Sequence, residues 1–143
     1  MITFKLRGVD DVVDRLSELP ERVAKSGVRR AARKAMSIVR DAAKARARAI
    51  DDPNTPMNIA DFIEMRESPN SGKAVGGIVM RVGVAGGATY RRDSTTPTYW
   101  RYVEFGTERS RARPFMRPAL EKNVSAVTNT FVTDLIDTLD HLP

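Results

Sequence analysis

Nucleophilic and general-base chemistry needs a Ser, Thr, Cys or Lys beside a histidine or an equivalent base, and the sequence supplies one histidine and no cysteine. That histidine, His141, stands at the C-terminal end, where a chain frays. The missing thiols also remove disulfides, thiolate nucleophiles and cysteine-based metal sites. Paired carboxylates occur at Asp10 and Asp11 and at Asp51 and Asp52, but each pair falls at a helix start or a turn, where aspartate bonds nearby backbone. Gly83, Gly86 and Gly87 resemble part of a phosphate-binding loop and lack the Lys-Ser or Lys-Thr pair that would complete one. These residues argue against an enzyme and ask for no metal and no cofactor.

Charge and aromatic surface remain. The 143 residues carry 24 Lys plus Arg against 18 Asp plus Glu, a net charge of +6, and the excess is concentrated in two stretches. Residues 21–50 hold ten basic and two acidic residues. At about 100° per residue, Arg22, Arg29, Arg30, Arg33, Lys34, Arg40, Lys44 and Arg48 fall in one arc of about 140°. Such a stripe fits a polyanion such as DNA or an acidic protein surface, or else a solvated face that keeps an alanine-rich helix soluble. The second stretch is residues 91–118, with a net charge of +4, and it overlaps a segment, residues 99–120, that holds five aromatics, Tyr99, Trp100, Tyr102, Phe105 and Phe115, interleaved with Arg109, Arg111, Arg113 and Arg117. Aromatic residues and arginine dominate protein interfaces, while a buried turn fastening the last helix would also use the aromatics. Glu104 is a natural ion-pair partner there, within or between chains.

These residues must be positioned by a modest scaffold. The length and the 41% hydrophobic content suit one domain over residues 1–143. Ile2, Phe4 and Leu6 alternate with Thr3, Lys5 and Arg7 as in a half-buried strand. Asp10 reads as the N-cap of a short helix that Pro20 ends. Residues 21–50 contain no proline, and Val28, Ala31, Ala32, Ala35, Ile38, Val39, Ala42 and Ala43 share an apolar arc, which predicts one long helix lying flat on a neighbour. Arg46 falls at the centre of that arc.

Beyond a connector with Pro53 and Pro56, strands are expected over 62–67 and 78–84, joined by a polar loop over 68–77. Residues 86–98, with Arg91 and Arg92, read as a mobile arm. A closing amphipathic helix opens near Pro118, with Leu120, Val124, Val127, Phe131, Leu135, Leu139 and Leu142 on its apolar face and a mildly acidic opposite face. The fold expected is α+β, a small mainly antiparallel sheet with the long basic helix and the C-terminal helix packed on one face. No apolar run is long enough to cross a bilayer, and MITFKLRG lacks the apolar core of a signal peptide, so a cytoplasmic origin and no membrane are expected.

The run Tyr102-Val103-Glu104-Phe105-Gly106-Thr107, followed by Ala112-Arg113-Pro114-Phe115-Met116-Arg117-Pro118-Ala119-Leu120, resembles the signature of the small head-tail joining, or tail-completion, proteins of long-tailed bacteriophages. The order of elements is similar too. The connector departs from that family, with Asp52-Pro53-Asn54-Thr55-Pro56-Met57-Asn58-Ile59 in place of a proline, threonine-glycine and leucine. The resemblance implies a non-enzymatic virion neck protein, assembled in the host cytoplasm as one subunit of a homo-oligomeric ring of six-fold symmetry. Its neighbours would be the head connector or stopper protein and the tail tube or terminator protein, with non-specific contact to DNA in the channel. By the same resemblance Tyr102, Glu104, Phe105, Gly106, Thr107, Arg111, Arg113, Phe115 and Arg117 would shape a subunit or partner interface. The alternative reading is a non-sequence-specific nucleic-acid-binding protein using residues 21–50.

Overall fold

A computed structural model describes residues 9–50, 58–85 and 99–141. The expected strand over 2–7, most of the proline connector and the arm with Arg91 and Arg92 lie outside the described residues.

The first helix, α1 (Val9–Ser17), starts one residue before Asp10, so Asp10 and Asp11 sit in its first turn rather than at its cap. Both still face the positive end of the helix dipole. Helix α2 (Glu21–Ala49) is the 29-residue helix that the alanine content predicts. Its buried residues, Ala31, Ala35, Val39, Ala43 and Ala47, form a row at intervals of four. Such a row advances about 40° around the helix at each step, so by Ala47 the seam has rotated away from position 46. This drift relieves the conflict at Arg46, which is only partly buried.

A 3-10 turn (Ile59–Phe62), whose Ala60 amide donates to the Asn58 side chain at 2.9 Å, leads into β1 (Ile63–Glu67), paired antiparallel with β2 (Met80–Val84). The register sets Ile63 opposite Val84 and Met65 opposite Val82. Arg66 and Arg81 also oppose each other; each is held aside, Arg66 by Glu64 at 2.7 Å and Arg81 by the Ser71 hydroxyl at 2.6 Å.

The segment expected to be a loop over 68–77 instead forms a short helix, α3 (Pro69–Val75). Pro69 opens it, and Gly76, at φ 70°, ends it in the left-handed conformation that glycine adopts most readily.

Helix α4 (Trp100–Phe105) opens the aromatic segment. The expected single closing helix is two, α5 (Met116–Glu121) and α6 (Val124–Asp140). The break falls at Asn123, whose side-chain amide donates to the Ala119 carbonyl at 2.8 Å. That local bond competes with the helical ladder. One consequence is that Leu120, expected on the buried face, is 45% exposed.

The architecture is therefore the expected α+β fold, a two-stranded antiparallel sheet among the described residues with helices against it. Two apolar clusters lie along α2. Toward its C-terminal half, Val39, Ala43 and Ala47 pack with Ile63, Val84, Phe115 and Ala119. Toward its N-terminal half, Ala31 packs with Val12 of α1 and with Leu135 and Leu139 of α6. No helix among the described residues is long and apolar enough to cross a membrane.

Candidate interaction surface

The aromatic segment is built around a carboxylate that never reaches the surface. Glu104 is 1% exposed. Its Oε2 accepts from the Phe115 and Met116 amides at 2.8 and 3.0 Å, and its Oε1 accepts from the Arg117 amide at 3.0 Å. These are amides at the start of α5, which has no side-chain cap of its own, so Glu104 satisfies them from another helix. The Arg117 Nε lies 3.6 Å from Oε1. Burial pushes the Glu104 carboxyl up, but the three backbone hydrogen bonds and the Arg117 charge outweigh it and hold the group below the usual glutamate range.

The turn after Glu104 is equally constrained. Gly106 sits at φ 77°, and a Cβ there would stand 2.8 Å from the Ala112 amide nitrogen. The Thr107 hydroxyl accepts from the Arg109 and Ser110 amides at 3.2 and 3.0 Å, and the Thr107 amide donates to the Ser110 carbonyl at 2.9 Å. The Arg113 amide then donates to the Val103 carbonyl at 2.8 Å, and Phe115, fully buried, plugs the first core cluster. Of the residues singled out in sequence, Glu104, Gly106, Thr107 and Phe115 thus build the segment from within or along its turn. Tyr102 and Phe105 are 63% and 61% exposed, and Arg111, Arg113 and Arg117 are exposed as well. The Arg117 guanidinium lies 5.5 Å from the centroid of the Phe105 ring. The result is a rigid scaffold presenting two solvent-facing aromatic rings among arginines.

The basic stripe of α2 is less free than its pattern predicts. Arg29 bonds Glu67 at 2.8 Å, tying α2 to β1, and Arg40 pairs with Asp41 at 3.1 Å. Lys34 reaches Asp134 at 3.1 Å. Asp134 is 4% exposed, so part of the acidic face of the last helix meets the chain's own basic helix. Among the other residues given for the stripe, Arg22, Arg30, Arg33 and Arg48 are exposed and Lys44 is half-buried. The sequence marked the charges; the pairings across α2, β1 and α6 join residues 38 and 100 positions apart and carry no local signal.

His141 is exposed, and its Nδ1 lies 2.8 Å from the Asp137 carbonyl, which with the Asp137 charge raises its pKa. No cluster of potential metal ligands occurs among the described residues.

Compared with known proteins, the chain matches one family model over residues 10–106, described as "Bacteriophage HK97-gp10, putative tail-component". The match ends within the Tyr102 to Thr107 run. Neither the curated proteins nor the solved structures yield a match.

Proposed function

The chain belongs to this HK97-gp10-like family of bacteriophage tail components, and from that premise we propose that it is a non-enzymatic subunit of a homo-oligomeric ring in the virion neck. The ring, of six-fold symmetry, joins the head connector or stopper to the tail tube or terminator. The observation that supports this most is the aromatic and arginine surface of the Tyr102 to Arg117 segment. Two large rings exposed on a backbone fixed by Glu104, Gly106 and Thr107 are a costly arrangement in a lone molecule and a pre-organised one in an assembly.

The part of the basic stripe without an ion-pair partner among the described residues, including Arg22, Arg30, Arg33 and Arg48, is available to an acidic neighbour in the neck or to DNA passing through the ring. Electron microscopy of a lysate from a phage lacking this reading frame tests the role. Separate DNA-filled heads and finished tails are expected. Normal infectious particles would remove the neck assignment.

A further inference from the structure

Helix α1 and the turn that follows it present Asp10, Asp11, Asp14 and, one residue past the helix, Glu18 to solvent. At about 100° per residue they fall in one arc of about 100°, flanked on the Asp10 side by Val13, which is 53% exposed, while Val12 on the opposite side enters the second core cluster. None of the four carboxylates has an ion-pair partner among the described residues; the neighbouring Arg15 is taken by Asp140 at 2.8 Å. The mirror situation holds in the aromatic segment. Arg109, Arg111 and Arg113 are exposed and likewise lack a carboxylate partner among the described residues, beside Tyr102 and Phe105.

These two unmatched faces lie at different ends of α2. The acidic helix packs at the level of Ala31 and the aromatic segment at the level of Ala43, about 18 Å apart along a helix rising 1.5 Å per residue. We propose that the acidic face of α1 in one copy of this chain docks on the Tyr102, Phe105 and Arg109 to Arg113 face of the next copy. The inference rests on the ring reading above and names the surfaces that would close the ring.

Charge decides the polarity of the contact. A two-fold contact centred on either face sets like charges against each other, whereas a head-to-tail contact pairs carboxylates with guanidiniums. A contact of that type generates rings when its rotation closes. Val13, at the edge of the carboxylate arc beside Asp10, supplies an apolar anchor for the exposed aromatic rings, and the flanking ion pairs fix the register.

The test uses the full chain in two variants, Asp10→Lys with Asp14→Lys and Arg109→Glu with Arg113→Glu, with circular dichroism to confirm folding, which these exposed positions should not disturb. Sedimentation velocity reads self-association. The wild-type chain is expected to associate, each variant to lose association by at least about tenfold, and their equimolar mixture to recover it, because every contact in an alternating assembly is again between opposite charges. Either variant associating like wild type, a mixture that fails to recover, or a monomeric wild-type chain overturns the proposal. If the arginine variant still self-associates but no longer binds a DNA oligonucleotide, the aromatic face belongs to nucleic acid and the proposal is likewise overturned. Association through some other face would leave the ring reading intact, whereas infectious particles from the deletion phage would remove that reading itself.

Discussion

Replacing Glu104 by glutamine isolates what the buried carboxylate does. The carboxylate accepts three amide hydrogen bonds with two oxygens, and glutamine has one acceptor oxygen. If that oxygen keeps the Phe115 and Met116 amides, the new NH2 group faces the Arg117 amide, donor against donor. The two retained bonds fall from charge-assisted to neutral strength, a loss of about 1 kcal/mol each, and the stranded amide costs a further ~1–3 kcal/mol. Burying a neutral amide instead of a charged carboxylate returns part of this, leaving a net cost of about 2–4 kcal/mol. Urea denaturation at pH 7 measures the difference. Because the folded carboxyl titrates below its ordinary value, its stabilisation is present above that value and is lost as pH falls through the folded one. The gap between wild type and Glu104→Gln should therefore narrow below about pH 4.5, the ordinary glutamate value. A gap under about 1 kcal/mol at pH 7, or one independent of pH, would refute the reasoning.

Other expectations follow from the same geometry. Gly106→Ala must place a methyl 2.8 Å from the Ala112 nitrogen at positive φ, so it should lower stability by about 2 kcal/mol or more in the same denaturation assay. Phe115→Ala empties the middle of the first core and should cost about 3–5 kcal/mol, read as a lower thermal midpoint. Lys34→Met leaves the buried Asp134, whose Oδ2 has no hydrogen-bond partner among the described residues, without its cation; because the lysine is largely exposed, the loss should be only about 1–2 kcal/mol, and Asp134→Asn in the same background should recover part of it. Since α2 contributes to both core clusters, we expect a single unfolding unit, with Trp100 fluorescence and far-ultraviolet circular dichroism giving one midpoint.

The long helix was legible because alanine content, charge and apolar periodicity all point the same way over 29 residues. The two strands were legible from alternation. Helix α3 was not, although Pro69 and Gly76 bracket it in the sequence: polar composition outweighed start and stop signals in a segment of seven residues. The split between α5 and α6 was hidden because Leu120 and Val124 continue the apolar spacing across the break at Asn123, whose bond to Ala119 is a side-chain event.

In the aromatic segment, sequence singled out the residues and left their structural roles open. In sequence Glu104 reads as an ion-pair partner among arginines, within or between chains. Its actual work, capping a helix that begins twelve residues later, depends on how α4 and α5 are brought together. The same holds for Lys34 and Asp134, which two separate helix patterns place on faces that turn out to meet.

A reconstruction of the neck of the intact virion by electron cryomicroscopy tests the central claim most directly. It should show a closed ring of this chain between head connector and tail tube, with the Tyr102 to Arg117 segment at a contact. A neck in which no density fits the chain, or density for it elsewhere in the particle, would contradict the account.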